Sequence, residues 1–385
     1  MSHQPVAVVG VGQTHHKRKR ADVSMAGLVR EAAQRALEDA NMDWSDIDAV
    51  VLGKAPDFFE GVMKPEMYLA DALGAVNKPM FRVHTAGSVG GSTGIVGSHL
   101  VSSGRHRRVL SIAFEKQSEG NAQFALGGGK GASIGAGGAF APFIRAYMRR
   151  SGAPEDIGWM VAVKDRLNGA KNPYAHLKLG DITIEKVKES PMMWDPLRFL
   201  ESCPSSDGAC AVVFGDEATA KAASKPPAWV LATAMKSEPG WYSGRDAVNP
   251  QAAHACAQDI YKQVGITNPR EQIDCAELYV PFSWYEPMWL EAHEIAAPGE
   301  GWKMTQSGAT ALDGDFPVNM SGGVLSSNPI GASGLLRFAE AALQVRGLAD
   351  EHQVPGAKLA LAQAYGANAQ FFAMWAVGSS LDPLG

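Results

Sequence analysis

Several short stretches of the 385-residue chain carry residue types that could do chemistry, and most of them fail on spacing. Gly10-Val11-Gly12 begins as a dinucleotide-binding turn would, but His15 stands where a third glycine must let the backbone close on a pyrophosphate. Gly127-Gly128-Gly129-Lys130-Gly131 lacks P-loop spacing, and His293-Glu294 lacks the second histidine of a zinc protease. Cys203, Cys210, Cys256 and Cys275 form no Cys-x-x-Cys pair. Neither a disulfide framework nor a zinc site follows, so all four read as small buried apolar residues, and no metal is expected. Lys17-Arg18-Lys19-Arg20 reads as a solvated loop, with contact to a coenzyme phosphate as the alternative. Two glycine-rich turns remain. Gly87-Ser88-Val89-Gly90-Gly91-Ser92 and the run Gly322-Gly323 through Asn328-Pro329-Ile330-Gly331-Ala332-Ser333-Gly334 each lead into a helical pattern. Glycine there permits tight turns and close approach of backbone.

The elements around these turns alternate between short apolar runs and helical patterns, which predicts an α/β sheet. Strands are predicted at Val6–Val9, Ile47–Leu52, Arg108–Phe114, Ala209–Phe214, Trp229–Ala234, Cys275–Val280, Lys358–Ala362 and Phe371–Val377. Ser24 can cap a helix carrying Leu28, Ala32, Ala36 and Leu37 on one face, with Asn41 as its stop. Asn249-Pro250 can cap and open another, carrying Ala252, Cys256, Ile260 and Val264, with Gly265 as its stop. Each is followed by a polar turn, an Ile-Asp pair and a strand. Asp48 and Asp274 stand 226 residues apart (274 − 48). A glycine-rich turn, a helix and another strand then follow in both places. Four elements in the same order argue for a duplication. The segment from about residue 116 to residue 201 has no counterpart and reads as an insertion, with Gly127–Gly138 as its mobile part. The expected division is residues 1–115 and 202–225 for the first half, 116–201 for the inserted loop domain and 226–385 for the second half.

Composition sets the outer bounds. A net charge of −5 argues against nucleic acid and membrane surfaces as partners. No apolar run reaches the roughly 18 residues of a membrane span. The basic cluster follows the apolar start instead of preceding it, so a cytoplasmic protein is expected. Glycine makes up 42 of 385 residues, about 10.9%, and charged residues only 19%, which suits a large core with surface covered by oligomerisation.

Three motifs and the duplication give the chain a family likeness. The string Ser202-Cys203-Pro204-Ser205-Ser206-Asp207-Gly208-Ala209-Cys210-Ala211 joins Asp165 through Pro173, Gly322-Gly323-Val324-Leu325 and the duplicated halves. In these the chain resembles the thiolase superfamily, in its sterol-carrier-protein-type branch. The resemblance implies a thiolase fold: two βαβαβαββ halves, each with a five-stranded mixed sheet, stacked as α-β-α-β-α around shared helices. It also implies a dimer, with itself or a thiolase-like partner, that acts on acyl-CoA thioesters. The chain itself is expected to bind no cofactor.

At the family's catalytic positions the chemistry has changed. Ser88-Val89-Gly90-Gly91-Ser92-Thr93 resembles the family's Cys-Ala-Thr-Gly-Ser-Thr, which puts Ser88 in place of the nucleophilic cysteine. A hydroxyl has no thiolate fraction to recruit and needs an adjacent base. His84 is close in sequence, although it reads better as a packed or surface residue. Tyr279-Val280-Pro281-Phe282 replaces His-Asp-x-Phe, and Ser327-Asn328-Pro329 replaces Gly-His-Pro. Ala364-Tyr365-Gly366-Ala367 lacks the C-terminal cysteine. Backbone N–H groups at the Ser88 turn and near Gly366, with the Asn328 amide, then remain to hold a thioester oxygen. Gly91 and Gly331 are expected in the surroundings of the bound thioester, and Tyr285 and Glu286 as wall or surface.

Tyr279 is the candidate acid/base, and Tyr365 a second one. A scaffold without its cysteine and with tyrosine at this motif resembles the thiolase-like aldolases that shorten branched sterol side chains. Those cleave a β-hydroxyacyl-CoA into a ketone and a short acyl-CoA. The resemblance implies a small zinc-ribbon/OB-fold partner, often linked to a hydratase. Two other readings stay open: a residual acyltransferase using Ser88, and a catalytically silent acyl-CoA- or lipid-binding subunit that supports an active thiolase-like chain.

Overall fold

The computed structural model describes residues 4–55, 61–120, 135–240 and 244–385. Most of the glycine-rich stretch expected to be mobile, residues 127–134, lies outside them. The first half runs β1 (Val6–Gln13), α1 (Met25–Ala40), β2 (Ala49–Lys54), β3 (Met80–Val83), α2 (Val89–Ser102) and β4 (Arg108–Lys116). An insertion follows with α3 (Gly135–Ser151), α4 (Asp156–Lys171) and the hairpin β5 (Met192–Trp194) and β6 (Leu197–Arg198). The chain then returns to the sheet as β7 (Asp207–Asp216). The second half runs β8 (Ala228–Ser237), α5 (Gln251–Val264), β9 (Cys275–Glu277), α6 (Tyr285–Ala292), α7 (Ile330–Arg346), β10 (Leu359–Gly366) and β11 (Phe371–Gly378).

The strand order is β3-β2-β4-β7-β1-β8-β11-β10-β9. Read outward from the β1–β8 junction, both halves have the same order. The counterpart of β3 survives as one parallel bridge, Ala276 with Val318. Each half contributes its own mixed sheet, and β1 pairs with β8 at Ala7–Trp229 and Val8–Ala228, which links the two edge to edge in one nine-stranded sheet. The repeated Ile-Asp pair has a physical reason. The Asp48 carboxylate accepts from the backbone N–H groups of Arg107 and Arg108 at 2.7 and 2.9 Å, at the start of β4. Asp274 accepts from Lys358 and Leu359 at 2.7 and 2.8 Å, at the start of β10. Each aspartate clamps neighbouring parallel strands in register.

Caps form as the sequence predicts at three of four ends. Ser24 Oγ accepts from Gly27 N, and Asn41 and Gly265 close their helices in the left-handed conformation. Asn249 differs: its side chain pairs with His254, and the Glu238 carboxylate accepts from Ala252 N at 2.6 Å at the helix start. Helix α1 covers β1, β7 and β4, helix α5 covers β8 and β11, and α2 and α7 cross between the two halves of the sheet. That gives the α-β-α-β-α layering. Gly10 and Gly12 belong to this packing, because a Cβ on either would stand 2.2 Å from a carbonyl oxygen of α1. No helix among the described residues is long and apolar enough to cross a membrane.

Candidate active site

Tyr279 lies two residues beyond β9, at the end of the second half's parallel pair, and its backbone is held on both sides. Its N–H donates to Gln363 Oε1 at 2.9 Å, and Trp289 Nε1 donates to its carbonyl at 2.9 Å. The hydroxyl donates to Asn328 Oδ1 at 3.4 Å. Ser333, one turn into α7, donates its Oγ to the same oxygen at 2.8 Å. At the other end of the amide, Asn328 Nδ2 donates to Cys203 Sγ at 3.2 Å. These contacts fix which way the carboxamide faces. The backbone of Asn328 is fixed too: its N–H donates to Ser206 Oγ at 3.1 Å, and its carbonyl accepts from Ser206 N and Gln117 Nε2.

Tyr365 is the last residue but one of β10 and is 3% exposed. Its ring meets that of Trp289 at 5.0 Å and stacks on Tyr285 at 5.7 Å, while Phe140 of the inserted domain lies 6.3 Å away. Tyr279 and Tyr365 therefore sit in one buried cluster of aromatic rings. The Tyr365 hydroxyl has no hydrogen-bond partner among the described residues. Burial, and then the nearby Cys203 thiol, push the Tyr279 phenol above its usual value near 10. Burial pushes Tyr365 well above it as well, with Tyr285, Tyr279 and Cys203 adding to the effect. Both are neutral phenols at physiological pH, which suits hydrogen-bond donation and proton delivery rather than a free phenolate base.

Ser88 stands at the start of α2 and is buried. Its Oγ donates to the Thr85 carbonyl at 2.7 Å and lies 2.9 Å from Thr85 Oγ1. No histidine or carboxylate bonds to that oxygen among the described residues, and His84 is exposed. The backbone N–H groups of Ser88 and Val89 close the turn on Thr85 O and Ala86 O, at 3.3 and 3.2 Å. Part of the donor set expected at this turn is thus already in use. Gly366 does lie against the turn: a Cβ there would stand 2.4 Å from Ser88 N and 2.5 Å from Gly87 N. Left-handed non-glycine residues flank the contact, Ala86 on one side and Ala367, Asn368 and Ala369 on the other. Gly91 and Gly331 serve the core instead. A Cβ on Gly91 would meet those of Ala364 and Ala373, and one on Gly331 would stand 2.3 Å from Phe114 O.

Three features differ from what the residue types suggest. Cys203 is only partly buried and touches the site, whereas Cys210, Cys256 and Cys275 are buried. It lies in the Ser202-Cys203-Pro204 string, whose contacts set it apart, not its spacing. Glu286 is not at the surface; it is fully buried and paired with Lys164 at 2.8 Å. Arg20 leaves the solvated loop to pair, buried, with Asp22 and Glu31 at 2.8 and 2.7 Å.

The mirrored strand order, the clamping aspartates and the central helix crossing define the duplicated α/β core of thiolase-fold proteins. Residues 236–375 match the thiolase C-terminal domain-like family. An acetyl-CoA acetyltransferase of Methanothermobacter thermautotrophicus is 32% identical over 92% of this chain and 94% of its own length. Human sterol carrier protein 2 is 28% identical over 92% of this chain and 69% of its own. Among solved structures, the Ltp2-ChsH2(DUF35) aldolase superposes with a TM-score of 0.85 at 25% identity, over 98% of each chain. The chain belongs to the thiolase superfamily, in its sterol-carrier-protein-type branch.

Proposed function

We propose that the chain is a retro-aldolase acting on a β-hydroxyacyl-CoA with a branched steroid side chain, releasing a ketone and a short acyl-CoA without an acyl-cysteine intermediate. The observation that carries this reading is the Asn328 amide, oriented by Ser333 and Cys203 beside the Tyr279 hydroxyl. Such an amide can hold the oxygen of a thioester as it becomes an enolate, a contribution on the order of 3 kcal/mol for one good donor. The phenols handle protons on the β-oxygen side. Cleavage of Cα–Cβ needs nothing covalent from the protein, in keeping with a Ser88 hydroxyl tied to Thr85. The likeness to the Ltp2-ChsH2(DUF35) aldolase supports the reaction type, and the likeness to sterol carrier protein 2 supports a sterol-derived acyl group.

In this reading the protein is a cytoplasmic dimer, homodimeric or paired with a thiolase-like chain. It works with a small zinc-ribbon/OB-fold partner linked to a hydratase. Incubating the chain and that partner with a β-hydroxy-β-branched steroid acyl-CoA releases the ketone, followed by mass spectrometry; its absence at every enzyme concentration rejects the proposal. Acyl transfer is the second reading, favoured by the 32% identity to the acetyl-CoA acetyltransferase. It requires an acetyl adduct on the intact protein after incubation with acetyl-CoA.

A further inference from the structure

Cys203 is the one reactive side chain of the cluster that the retro-aldol reading leaves without a role. It does not stand alone. Its sulfur accepts from Asn328 Nδ2, the nitrogen whose second N–H is left for the thioester oxygen. Tyr279 occupies the opposite end of the same amide. In the substrate the α-carbon is two bonds from the thioester oxygen, whereas the β-oxygen is two atoms further along. A thioester bound through Nδ2 with its α-carbon on the sulfur side carries its β-oxygen toward the phenols. Two further observations point at the same place. Tyr365 is buried, with an unpartnered hydroxyl, and Cys203 is among the groups near it that raise its phenol. The guanidinium of Arg166, 1% exposed, donates to the carbonyls of Leu325, Leu200 and Ser202 and acts on the same thiol.

We propose that Cys203 is the catalytic acid that delivers a proton to the α-carbon of the enolate. This rests on the retro-aldolase reading above. As the Cα–Cβ bond breaks, its electron pair passes into the thioester as the enolate, and the β-carbon becomes a ketone. The S–H bond of Cys203 breaks as the Cα–H bond forms. The β-hydroxyl gives up its proton by way of Tyr279 to solvent and the sulfur takes one back from solvent, so the cycle closes with no net gain or loss of protons. Burial holds the thiol up at about 11, so it carries its proton at neutral pH. Asn328 Nδ2 and Arg166 stabilise the thiolate while it lasts.

The test uses the full chain with its partner and acetyl-CoA in D2O, following exchange of the α-hydrogens by NMR. Wild type is expected to exchange them. Cys203→Ala is expected to lower the rate about 100-fold or more, and Cys203→Ser, which keeps the size of the side chain, to lower it at least 10-fold with unchanged circular dichroism. Tyr279→Phe, which acts at the β-oxygen, lowers cleavage of the β-hydroxyacyl-CoA more than it lowers exchange. Wild-type exchange rates in both Cys203 variants overturn this assignment alone and leave the aldolase reading standing. No exchange and no cleavage by wild type overturn both. An acetylated Cys203 found by mass spectrometry also overturns it, because the thiol is then a nucleophile.

Discussion

The rings of Tyr279 and Tyr365 meet edge to face, with centroids 5.3 Å apart and planes at 88°. Such a contact directs the edge of one ring at the face of the other. It also joins the two ends of the second half's parallel ladder, since Tyr279 follows β9 and Tyr365 is the last residue but one of β10. The strands that carry the two residues thus bring the rings into contact.

Removal of one hydroxyl from this pair separates chemistry from packing. Tyr279→Phe keeps the ring contact and loses only the bond to Asn328. Cleavage of the β-hydroxyacyl-CoA is expected to fall about 10²- to 10⁴-fold, the usual range for a positioned acid or base. The melting temperature should stay within a few degrees of wild type. Because the Tyr279 phenol is held above its usual range by burial, wild-type activity should show no loss from its ionisation between pH 7 and about 10. A basic limb near pH 8 that disappears in the variant would contradict that protonation state.

Ser88→Ala removes a hydroxyl already committed to Thr85. Turnover is expected to change less than about fivefold, and melting by a few degrees at most, since one neutral hydrogen bond contributes about 1 kcal/mol. Loss of all activity in steady-state assays would instead restore Ser88 as a nucleophile.

His352 gives the fold a pH signature. Its Nε2 lies 2.9 Å from Glu340 Oε2, both side chains buried. Burial opposes the imidazolium, but Glu340, with Glu277 and Asp350 behind it, raises the pKa above 6.5. Burial likewise opposes the Glu340 carboxylate, yet His352, Gln13 and Arg337 bring it below 4.5. A raised histidine stabilises fully below about 6.5 and loses that contribution as pH climbs through its folded value. A lowered glutamate stabilises above about 4.5 and loses its contribution as pH falls. The melting-temperature gap between wild type and His352→Gln should therefore be widest between about pH 4.5 and 6.5 and shrink toward pH 9. A gap independent of pH in thermal scans would refute the ion pair.

The edge strand β3 leaves an apolar side chain in solvent. Phe81 is 43% exposed, and Met63, whose carbonyl accepts from Arg82 of β3, is 74% exposed. Unpaired apolar edges are covered in native proteins, which suits the proposed dimer. Light scattering should give twice the 40.8 kDa of one chain, and Phe81→Glu should halve the measured mass. A monomer in the wild type would place this edge outside any dimer.

Much of this arrangement was legible in the residues. The Ile-Asp repeat predicted two matching halves because an aspartate that clamps two backbone amides must recur wherever the same strand junction recurs. Every predicted strand is present, with ends shifted by a few residues. β3 was missed, being four residues long and only half-buried. Tyr279, Tyr365 and Asn328 were accessible through their motifs, and the structure brings them together. Cys203 was not, because a single cysteine without a spaced partner looks the same whether it packs in a core or faces a pocket. The fate of the Ser88 amides was hidden too, since hydrogen bonds inside a turn leave no periodic trace.

The place of β7 has a consequence for synthesis. It lies between β4 and β1, yet it follows β4 by the whole insertion, from Lys116 to Asp207. A nascent chain leaving the ribosome therefore holds β1 and β4 as bare edges, with their apolar faces uncovered, while about ninety more residues are translated. At about 5–20 residues per second that interval is on the order of ten seconds. The first half cannot fold ahead of its own insertion, and the window before β7 emerges is when chaperones would hold the chain.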